Sequence, residues 1–249
     1  SSRAPSAQAM PPMPPPTTMI FLGISAIAID MPGHGHSSWR KDGNYEPSVL
    51  ARDVATAIET WAPKAKLIVG MSLGGLTTVA LAGMRPDLAS KIVVVDITPG
   101  VNSEKSKAIT DFVNGPQSFA SFEELLKRTI EHNPTRSESS LRRGILHNAK
   151  QLEDGSWQWR YDRSTHPSKE DSAKRLDRIS ALWGVIESLK SSMTLVRGGT
   201  SPVVDDADVA ELLRRKPDAE VLVIDGAGHS VQGDKPVELA SALTRMLRG

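Results

Sequence analysis

The sequence predicts an α/β fold with a mostly parallel central sheet flanked by helices. Strand-like runs of β-branched and other apolar residues alternate with stretches of helical apolar spacing; the runs lie at 67–69, 91–95, 193–196 and 221–224, and the helical stretches at 49–61, 76–84 and 207–215. This alternation favours parallel pairing, because each helix returns the chain to the same end of the sheet. Two glycine-rich segments, 70–75 and 226–228, closely follow strand-like runs. Turns of this kind lie at the sheet edge where functional sites collect.

The composition is that of a soluble globular domain. Of 249 residues, 39% are hydrophobic and 24% charged, which allows a sizeable core. The net charge of +1 does not favour a nucleic-acid surface, and the lack of cysteine excludes disulfides and thiolate chemistry. We expect a small-molecule substrate and neither a nucleic-acid nor a membrane partner; self-association into a homo-oligomer is left open.

The N-terminal region combines a tail with a short apolar run. Residues 1–17 are rich in proline, serine and alanine, which predicts a disordered tail. The apolar run at 19–29 is too short to span a bilayer and leads into Asp30 instead of a small-residue cleavage site. We therefore expect a strand there and a cytoplasmic protein.

The strand-like runs fall into two parts of the chain with an insertion between them. Residues 18–100 and 191–249 form the predicted α/β core. Residues 101–190 lack strand-like alternation, and the segments 119–130 and 176–189 have helical apolar spacing. The insertion is predicted to be a helical cap.

A nucleophile candidate lies in the first glycine-rich segment. The sequence Gly70-Met71-Ser72-Leu73-Gly74 follows a strand-like run and precedes a helical stretch. In this context G-x-S-x-G places the serine at the tip of a strained turn, with its hydroxyl exposed above the sheet. Glycines two residues either side are expected because a Cβ would collide with the neighbouring strand or helix. Ser72 is the candidate.

A general base is predicted in the second glycine-rich segment. His229 ends a loop of very small residues just after the strand-like run 221–224, where an imidazole can approach the serine turn. The remaining histidines are interpreted as surface or structural loop residues: His34, His36, His132, His147 and His166.

Two regions could supply an acid to orient His229. Asp96 follows the strand-like run 91–95 directly, whereas Asp205 and Asp206 lie several residues beyond their strand, near the start of a predicted helix. Acidic residues at a helix start are explained by the helix dipole alone. We favour Asp96 and keep Asp205 and Asp206 as alternatives.

With these motifs the chain resembles the α/β-hydrolase superfamily, in particular its serine esterases and C–C bond hydrolases with a helical cap. The resemblance runs from about residue 24 to the C-terminus and includes residues 30–37, which are similar to the family's D-x-P-G-H-G-x-S turn. The histidines of that turn are structural in the family. Many members carry the acid in a G-x-x-D-P sequence, which here has Ser201 in place of the aspartate. Others carry it one strand earlier, which favours Asp96.

The resemblance also implies an oxyanion hole. One amide would come from Leu73, with Met71 shaping the pocket wall beside it. The family's second donor usually follows a His-Gly sequence, and none occurs before Asp30. The chain is therefore identified as a member shortened at its N-terminus, with exposed sheet edges and either another donor or impaired activity.

The implied reaction is acyl transfer to water through an acyl-enzyme intermediate. Ser72 would attack a carbonyl carbon, His229 would move its proton and Asp96 would orient His229. No cofactor or metal is implied, and the serine argues against the family's epoxide hydrolases and dehalogenases. Two alternatives are a catalytically impaired ligand-binding protein and a fragment that does not fold cooperatively.

Two features of the insertion allow different interpretations. Trp157, Trp159 and Tyr161 alternate, so they either pin the cap to the core or line an apolar pocket. The basic residues of the insertion indicate either a solvated face or an anion site for a carboxylate-bearing substrate. These residues are Arg136, Arg142, Arg143, Arg160 and Arg163.

Overall fold

The computed structural model describes residues 17–21, 24–162 and 169–248. Almost all of the predicted proline-rich tail lies outside these residues. In chain order the elements are β1 (Thr17–Phe21), β2 (Ile24–Ala28), α1 (Pro47–Trp61), β3 (Ile68–Met71), α2 (Leu73–Met84), β4 (Lys91–Val95), α3 (Lys107–Val113), β5 (Ser118–Phe119), α4 (Phe122–Glu131), α5 (Glu138–Asn148), β6 (Ala149–Gln151), β7 (Trp157–Trp159), α6 (Lys169–Ser180), α7 (Leu182–Ser188), β8 (Ser192–Gly198), α8 (Asp206–Arg215), β9 (Glu220–Ile224), α9 (Val231–Asp234) and α10 (Pro236–Arg248).

Among the described residues, the central sheet has four parallel strands in the order β3-β4-β8-β9. It confirms the predicted fold class and all four strand-like runs. Because the strands are parallel, their carboxyl ends meet at one edge, and the loops that leave them lie side by side. Each of these loops carries a residue singled out in the sequence.

Both faces of the sheet are covered by helices. Along β4 the side chains alternate, so Ile92 and Val94 pack with residues of α1, α2, α7 and α8. Val93 and Val95 face the opposite side, where Leu239 of α10 packs. This two-sided burial explains why β4 is apolar throughout.

The N-terminal part differs from the expected single strand at 19–29. It forms an antiparallel hairpin of β1 and β2, with Thr17 opposite Ala28 and Phe21 opposite Ile24. Within the described residues the hairpin is a separate two-stranded sheet, and β3 is an edge of the central sheet, with Val69 43% exposed. Apolar content alone did not locate the reversal, because hairpin strands and one longer strand share the same composition.

The insertion is not purely helical. In its described residues, 101–162 and 169–190, five helices, α3 to α7, accompany a small antiparallel sheet in the order β5-β7-β6. These strands have only two or three residues each, too short for an alternating pattern to appear in the sequence. The helix expected at 119–130 is α4, and the one expected at 176–189 is divided between α6 and α7. Among the described residues, no helix is long and apolar enough to cross a bilayer.

Packing at the serine turn requires two glycines: Gly70, as predicted, and Gly75 in place of the predicted Gly74. A Cβ at Gly70 would lie 2.2 Å from the carbonyl oxygen of Gly74 and 2.4 Å from Oγ1 of Thr78. A Cβ at Gly74 would meet only Cε of Met31, at 3.9 Å, so the predicted collision there is wrong. The crowded residue is Gly75, where a Cβ would lie 2.6 Å from Ile97 and 3.0 Å from Val94. On the helix side of the turn, the glycine that makes room for neighbouring side chains is therefore Gly75.

Alanine substitutions at Gly70 and Gly74 test this packing. We expect Gly70→Ala to lower the free energy of unfolding by about 1–3 kcal/mol or more, because backbone atoms must move to admit the methyl group. Gly74→Ala lies in the first turn of α2 with free space around it, so we expect no loss of stability. Urea unfolding of both variants measures the difference, and equal losses would contradict the assigned contacts.

Candidate active site

Ser72 lies at the sharp turn between β3 and α2. Its backbone has φ 52° and ψ −120°, a conformation that L-residues rarely adopt. Its amide donates to the carbonyl of Val95 on the neighbouring strand (3.0 Å), and its own carbonyl accepts from Gly75 and Leu76. These bonds hold the strained residue in place and lift its side chain above the carboxyl edge of the sheet.

Asp96 occupies the same level of the sheet, one residue beyond β4. Its φ is also positive, at 51°, and its amide donates to the carbonyl of Val196 (2.8 Å). The side chain is fully buried. One carboxylate oxygen, Oδ1, accepts from the amide of Gly198 (2.8 Å), and the other, Oδ2, accepts from the hydroxyl of Ser201.

His229 reaches both residues from the loop after β9. Its Nδ1 lies 2.9 Å from Oδ2 of Asp96, and its Nε2 lies 3.1 Å from Oγ of Ser72. The loop packs closely on the end of β8, since a Cβ at Gly198 would lie 2.3 Å from the carbonyl oxygen of Gly228. The amide of Gly228 also donates to Asp234 (2.7 Å), which fixes the loop from its other side.

The three side chains form one hydrogen-bonded series. A carboxylate can only accept, so its contact with Nδ1 favours the imidazole tautomer that carries the proton on that nitrogen. The lone pair of Nε2 then faces the serine hydroxyl and can take its proton. The imidazole is 17% exposed and the carboxylate 0%, so the acid is shielded while the base remains accessible.

The other acid candidates serve different contacts. Asp205 caps α8: its side chain accepts from the amide of Asp208 (2.9 Å), and its own amide donates to the Asp208 carboxylate (3.1 Å). The hydrogen bond from the Asp208 amide and an ion pair with Lys105 (2.9 Å) lower the pKa of Asp205 to about 2. Asp206 pairs with Arg197 (2.5 Å) and its side chain is 98% exposed. Neither carboxylate is hydrogen-bonded to His229. Of the three candidate acids, Asp96 is the one that contacts the imidazole.

The two remaining predicted site residues flank the serine. Leu73 is the first residue of α2, and within the described part of the chain its amide donates to no other group. Met71 is half-buried and packs against the apolar cluster that contains Val95 and Val231. The structure thus leaves the Leu73 amide available as a donor and seats Met71 partly in the core.

Two residues near the site were missed in the sequence. Met31 places its Cε 3.9 Å from the Cβ position at Gly74, which brings it to the first turn of α2. Its signal was its place in the turn 30–37, of which only the glycines, proline and histidines were considered. Ser201 was noted as a departure from a motif, but its bond to Asp96 links residues 105 positions apart and left no local signal.

The turn 30–37 is held by its own hydrogen bonds. The carboxylate of Asp30 accepts from the amide of His36 (3.0 Å), and the carbonyl of Asp30 accepts from the hydroxyl of Ser37 (2.5 Å). Nδ1 of His34 lies 3.2 Å from the carbonyl oxygen of Pro32. These contacts fit the structural role expected for both histidines.

The aromatic residues of the insertion form its own core. Trp157, Trp159 and Tyr161 pack in or against a cluster that also contains Phe119 and Leu125. Trp159 stacks on Tyr161 at 5.8 Å between ring centroids, with an interplanar angle of 25°. The structure thus gives these residues a role that neither sequence interpretation named.

The segment that carries these aromatics is attached to the α/β core. The indole of Trp39 donates to the carbonyl of Arg160 (3.2 Å), and the amide of Asp162 donates to the carbonyl of Gly33 (2.8 Å). The hydroxyl of Tyr45 donates to the Asp162 carboxylate (2.5 Å). Burial, and then this bond, raise the pKa of Tyr45 to about 12. The insertion is therefore joined to the turn that borders the serine.

The basic residues of the insertion are mostly engaged locally. Arg142 pairs with Glu138 (2.8 Å), and Arg160 donates to the carbonyl of Ala149 (3.0 Å). Arg136 is half-buried, donates to Ser140, and has a pKa that burial lowers. Arg143 is exposed, and Arg163 lies outside the described residues. An anion site therefore stays a hypothesis.

The sequence pattern of the alpha/beta hydrolase fold family matches residues 21–236, most of the chain. The chain belongs to the α/β-hydrolase family. The esterase Rv0045c of Mycobacterium tuberculosis is 40% identical over 240 residues, which cover 94% of this chain and 76% of that protein. Its crystal structure superposes with a TM-score of 0.76 at 40% identity, covering 92% of this chain and 76% of the other. These similarities confirm the predicted family and fold.

The chain is also similar to an α/β-hydrolase that is named for one substrate. The 2-(acetamidomethylene)succinate hydrolase of Mesorhizobium japonicum is 29% identical over 225 residues, covering 90% of this chain and 78% of that enzyme. A crystal structure of E-2-(acetamidomethylene)succinate hydrolase gives a TM-score of 0.78 at 27% identity and covers 90% of this chain and 82% of that one. The family match and the 40% identity to the esterase show that this chain is an enzyme of the carboxylesterase-like kind, as predicted.

Replacing Ser72 with glycine or alanine tests the strain at the turn. Both variants lose the hydroxyl, but only glycine adopts φ 52° and ψ −120° without steric cost. We therefore expect Ser72→Gly to unfold with a free energy about 1–3 kcal/mol higher than Ser72→Ala. Thermal unfolding of the pair measures this difference, and equal stability would mean that residue 72 is not strained.

Proposed function

We propose that this chain is a serine hydrolase that cleaves an ester of a small molecule through an acyl-enzyme intermediate. The observation that carries the proposal is the hydrogen-bonded series from Ser72 through His229 to the buried carboxylate of Asp96. A pure binding protein has no need of a serine, an imidazole and a carboxylate aligned in this way. The esterase at 40% identity supports an ester as the substrate class.

In the first half of the reaction, Oγ of Ser72 attacks the ester carbonyl carbon while Nε2 of His229 takes the hydroxyl proton. Asp96 stabilises the imidazolium that forms. The carbonyl oxygen becomes an oxyanion, for which we propose the Leu73 amide as a donor. When the tetrahedral intermediate collapses, the C–O bond to the alcohol breaks and His229 gives its proton to the leaving oxygen.

In the second half, water replaces the alcohol. His229 takes a proton from the water, whose oxygen attacks the acyl carbon, and collapse of the second intermediate returns the proton to Oγ of Ser72. The products are a carboxylic acid, an alcohol and the free enzyme. The ester and one water supply all the atoms of the products, and His229 carries the transferred proton in each half.

The start of α2 supports the oxyanion site in a second way. Leu73 and Gly74 are the first residues of this helix, and within the described part of the chain neither amide is used in another hydrogen bond. Unpaired amides at a helix N-terminus carry partial positive charge. An oxyanion formed beside Ser72 would meet that charge.

We further propose that residues 101–190 act as a cap that selects the acyl group. The insertion is joined to the turn 30–37 by the bond from Asp162 to Gly33. From that turn, Met31 extends to the first turn of α2 beside Ser72. Acyl chains of different length would therefore meet side chains of the turn and of the cap together.

Active-site labelling tests the proposed function. We expect a fluorophosphonate probe to label the chain, because it phosphonylates an activated serine, and p-nitrophenyl butyrate to be turned over. Ser72→Ala should lose both labelling and turnover. Ser188→Ala, which removes a hydroxyl that bonds only its own helix backbone, should keep both.

The outcome is measured by gel fluorescence and by release of p-nitrophenol. Labelling that persists in Ser72→Ala would place the nucleophile elsewhere. A folded wild-type chain that neither labels nor turns over the ester would contradict the mechanism and favour a ligand-binding protein.

A further inference from the structure

Ser201 is a buried residue that the reaction described above does not use. It lies in the loop after β8 and is 8% exposed. Its hydroxyl contacts Oδ2 of Asp96, and because a carboxylate oxygen accepts hydrogen bonds, the serine is the donor. Oγ of Ser201 also accepts from the amide of Val203 (3.2 Å). That bond occupies a lone pair of Oγ and directs the hydroxyl proton towards the carboxylate.

The oxygen that Ser201 contacts is the one that also serves the imidazole. Oδ2 of Asp96 accepts from Nδ1 of His229 (2.9 Å), while Oδ1 accepts from the amide of Gly198 (2.8 Å). Two of the three donors to the carboxylate thus come from residues 198–201. The orientation of the carboxylate, and the charge left on Oδ2 for the imidazole, both depend on this loop.

The loop is fixed to the segment that carries His229. The amide of Ser201 donates to the carbonyl of Gly198 (3.1 Å), which closes a tight turn. Within that turn, Gly199 donates to Ile224 and Thr200 donates to Ala227, each at 2.9 Å. The serine therefore keeps a constant position relative to both Asp96 and the histidine loop.

We propose that Ser201 is a positioning residue of the hydrolytic reaction, which holds the Asp96 carboxylate with Oδ2 facing Nδ1 of His229. The inference rests on the proposed function. The Ser201 hydroxyl fixes the rotation of the carboxylate, and it neutralises part of the charge on Oδ2. Fixing the rotation supports proton transfer by His229, and neutralising the charge limits how strongly the protonated imidazole is held.

Ser201→Ala separates these effects from simple packing. We expect kcat for p-nitrophenyl butyrate to fall about tenfold with KM unchanged, because a hydrogen bond to a charged group is lost without altering the substrate site. The acidic limb of the kcat/KM profile should move to higher pH, since a carboxylate without the serine proton holds the imidazolium more tightly. A residue that only packs would lower the melting temperature and leave the pH profile unchanged.

Two variants serve as matched controls. Ser201→Thr keeps the hydroxyl and should restore most of kcat and the wild-type pH profile. Ser188→Ala removes a hydroxyl that bonds the carbonyl of Val185 in its own helix, and should keep wild-type kinetics. If Ser201→Ala does not fold, Ser201→Cys, which has a weaker donor of similar size, is expected to change kcat and the pH profile in the same directions.

A proton NMR signal provides a readout that does not depend on turnover. The proton between Nδ1 of His229 and Asp96 should resonate far downfield, and we expect Ser201→Ala to shift it further as that bond strengthens. Unchanged kinetics and an unchanged resonance in an active, folded Ser201→Ala protein would overturn the proposal. Absence of turnover in the wild type would overturn the proposed function instead, and the resonance would still report on Ser201.

Discussion

The site depends on one buried charge, the carboxylate of Asp96. It is fully removed from solvent and is compensated by three donors: the Gly198 amide, the Ser201 hydroxyl and Nδ1 of His229. Loss of these donors would leave an uncompensated buried charge, which is strongly destabilising. The hydrogen bonds to Asp96 therefore stabilise the loops that supply the donors, and one of these bonds also orients the imidazole. Stability and function are coupled at this residue.

The order of the strands makes this arrangement possible. Ser72 follows β3, Asp96 follows β4, Ser201 follows β8 and His229 follows β9, and these strands are neighbours in that order. His229 is 157 positions from Ser72 and 133 from Asp96, yet it bonds both. Parallel pairing brings the carboxyl ends together, and the positive φ of Ser72 and Asp96 turns both side chains out of their strands and towards the histidine.

Much of the core and of the site could be predicted because their signals are local. The serine turn and the histidine loop each combine small residues with a strand that directly precedes them, so neither depended on distant contacts. The acid has a weaker local signal, because Asp96 and Asp205 both follow strands. The sequence favoured Asp96, and the structure shows that Asp96 bonds the imidazole whereas Asp205 caps α8.

The features that the sequence missed arise from tertiary contacts or from very short elements. The three strands within residues 101–190 are too short to show a period. The glycine that the helix needs is Gly75 instead of Gly74, because Ile97 and Val94 pack there. The sequence predicted that the aromatic residues within 101–190 either pin this segment to the core or line a pocket, whereas the structure packs them in a cluster of their own. Such packing depends on partners far away in the chain.

The most direct test of this account is kcat for p-nitrophenyl butyrate in Asp96→Asn compared with Asp205→Ala. Asparagine preserves the shape of the side chain and tolerates a positive φ, but it removes the charge that fixes the tautomer of His229 and stabilises its protonated form. We predict a fall of about 10³–10⁴-fold in kcat for Asp96→Asn. Asp205→Ala should lose about 1 kcal/mol of stability with the helix cap and keep wild-type kcat. Wild-type kcat in a folded Asp96→Asn protein, or a comparable fall in Asp205→Ala, would contradict the central role of Asp96.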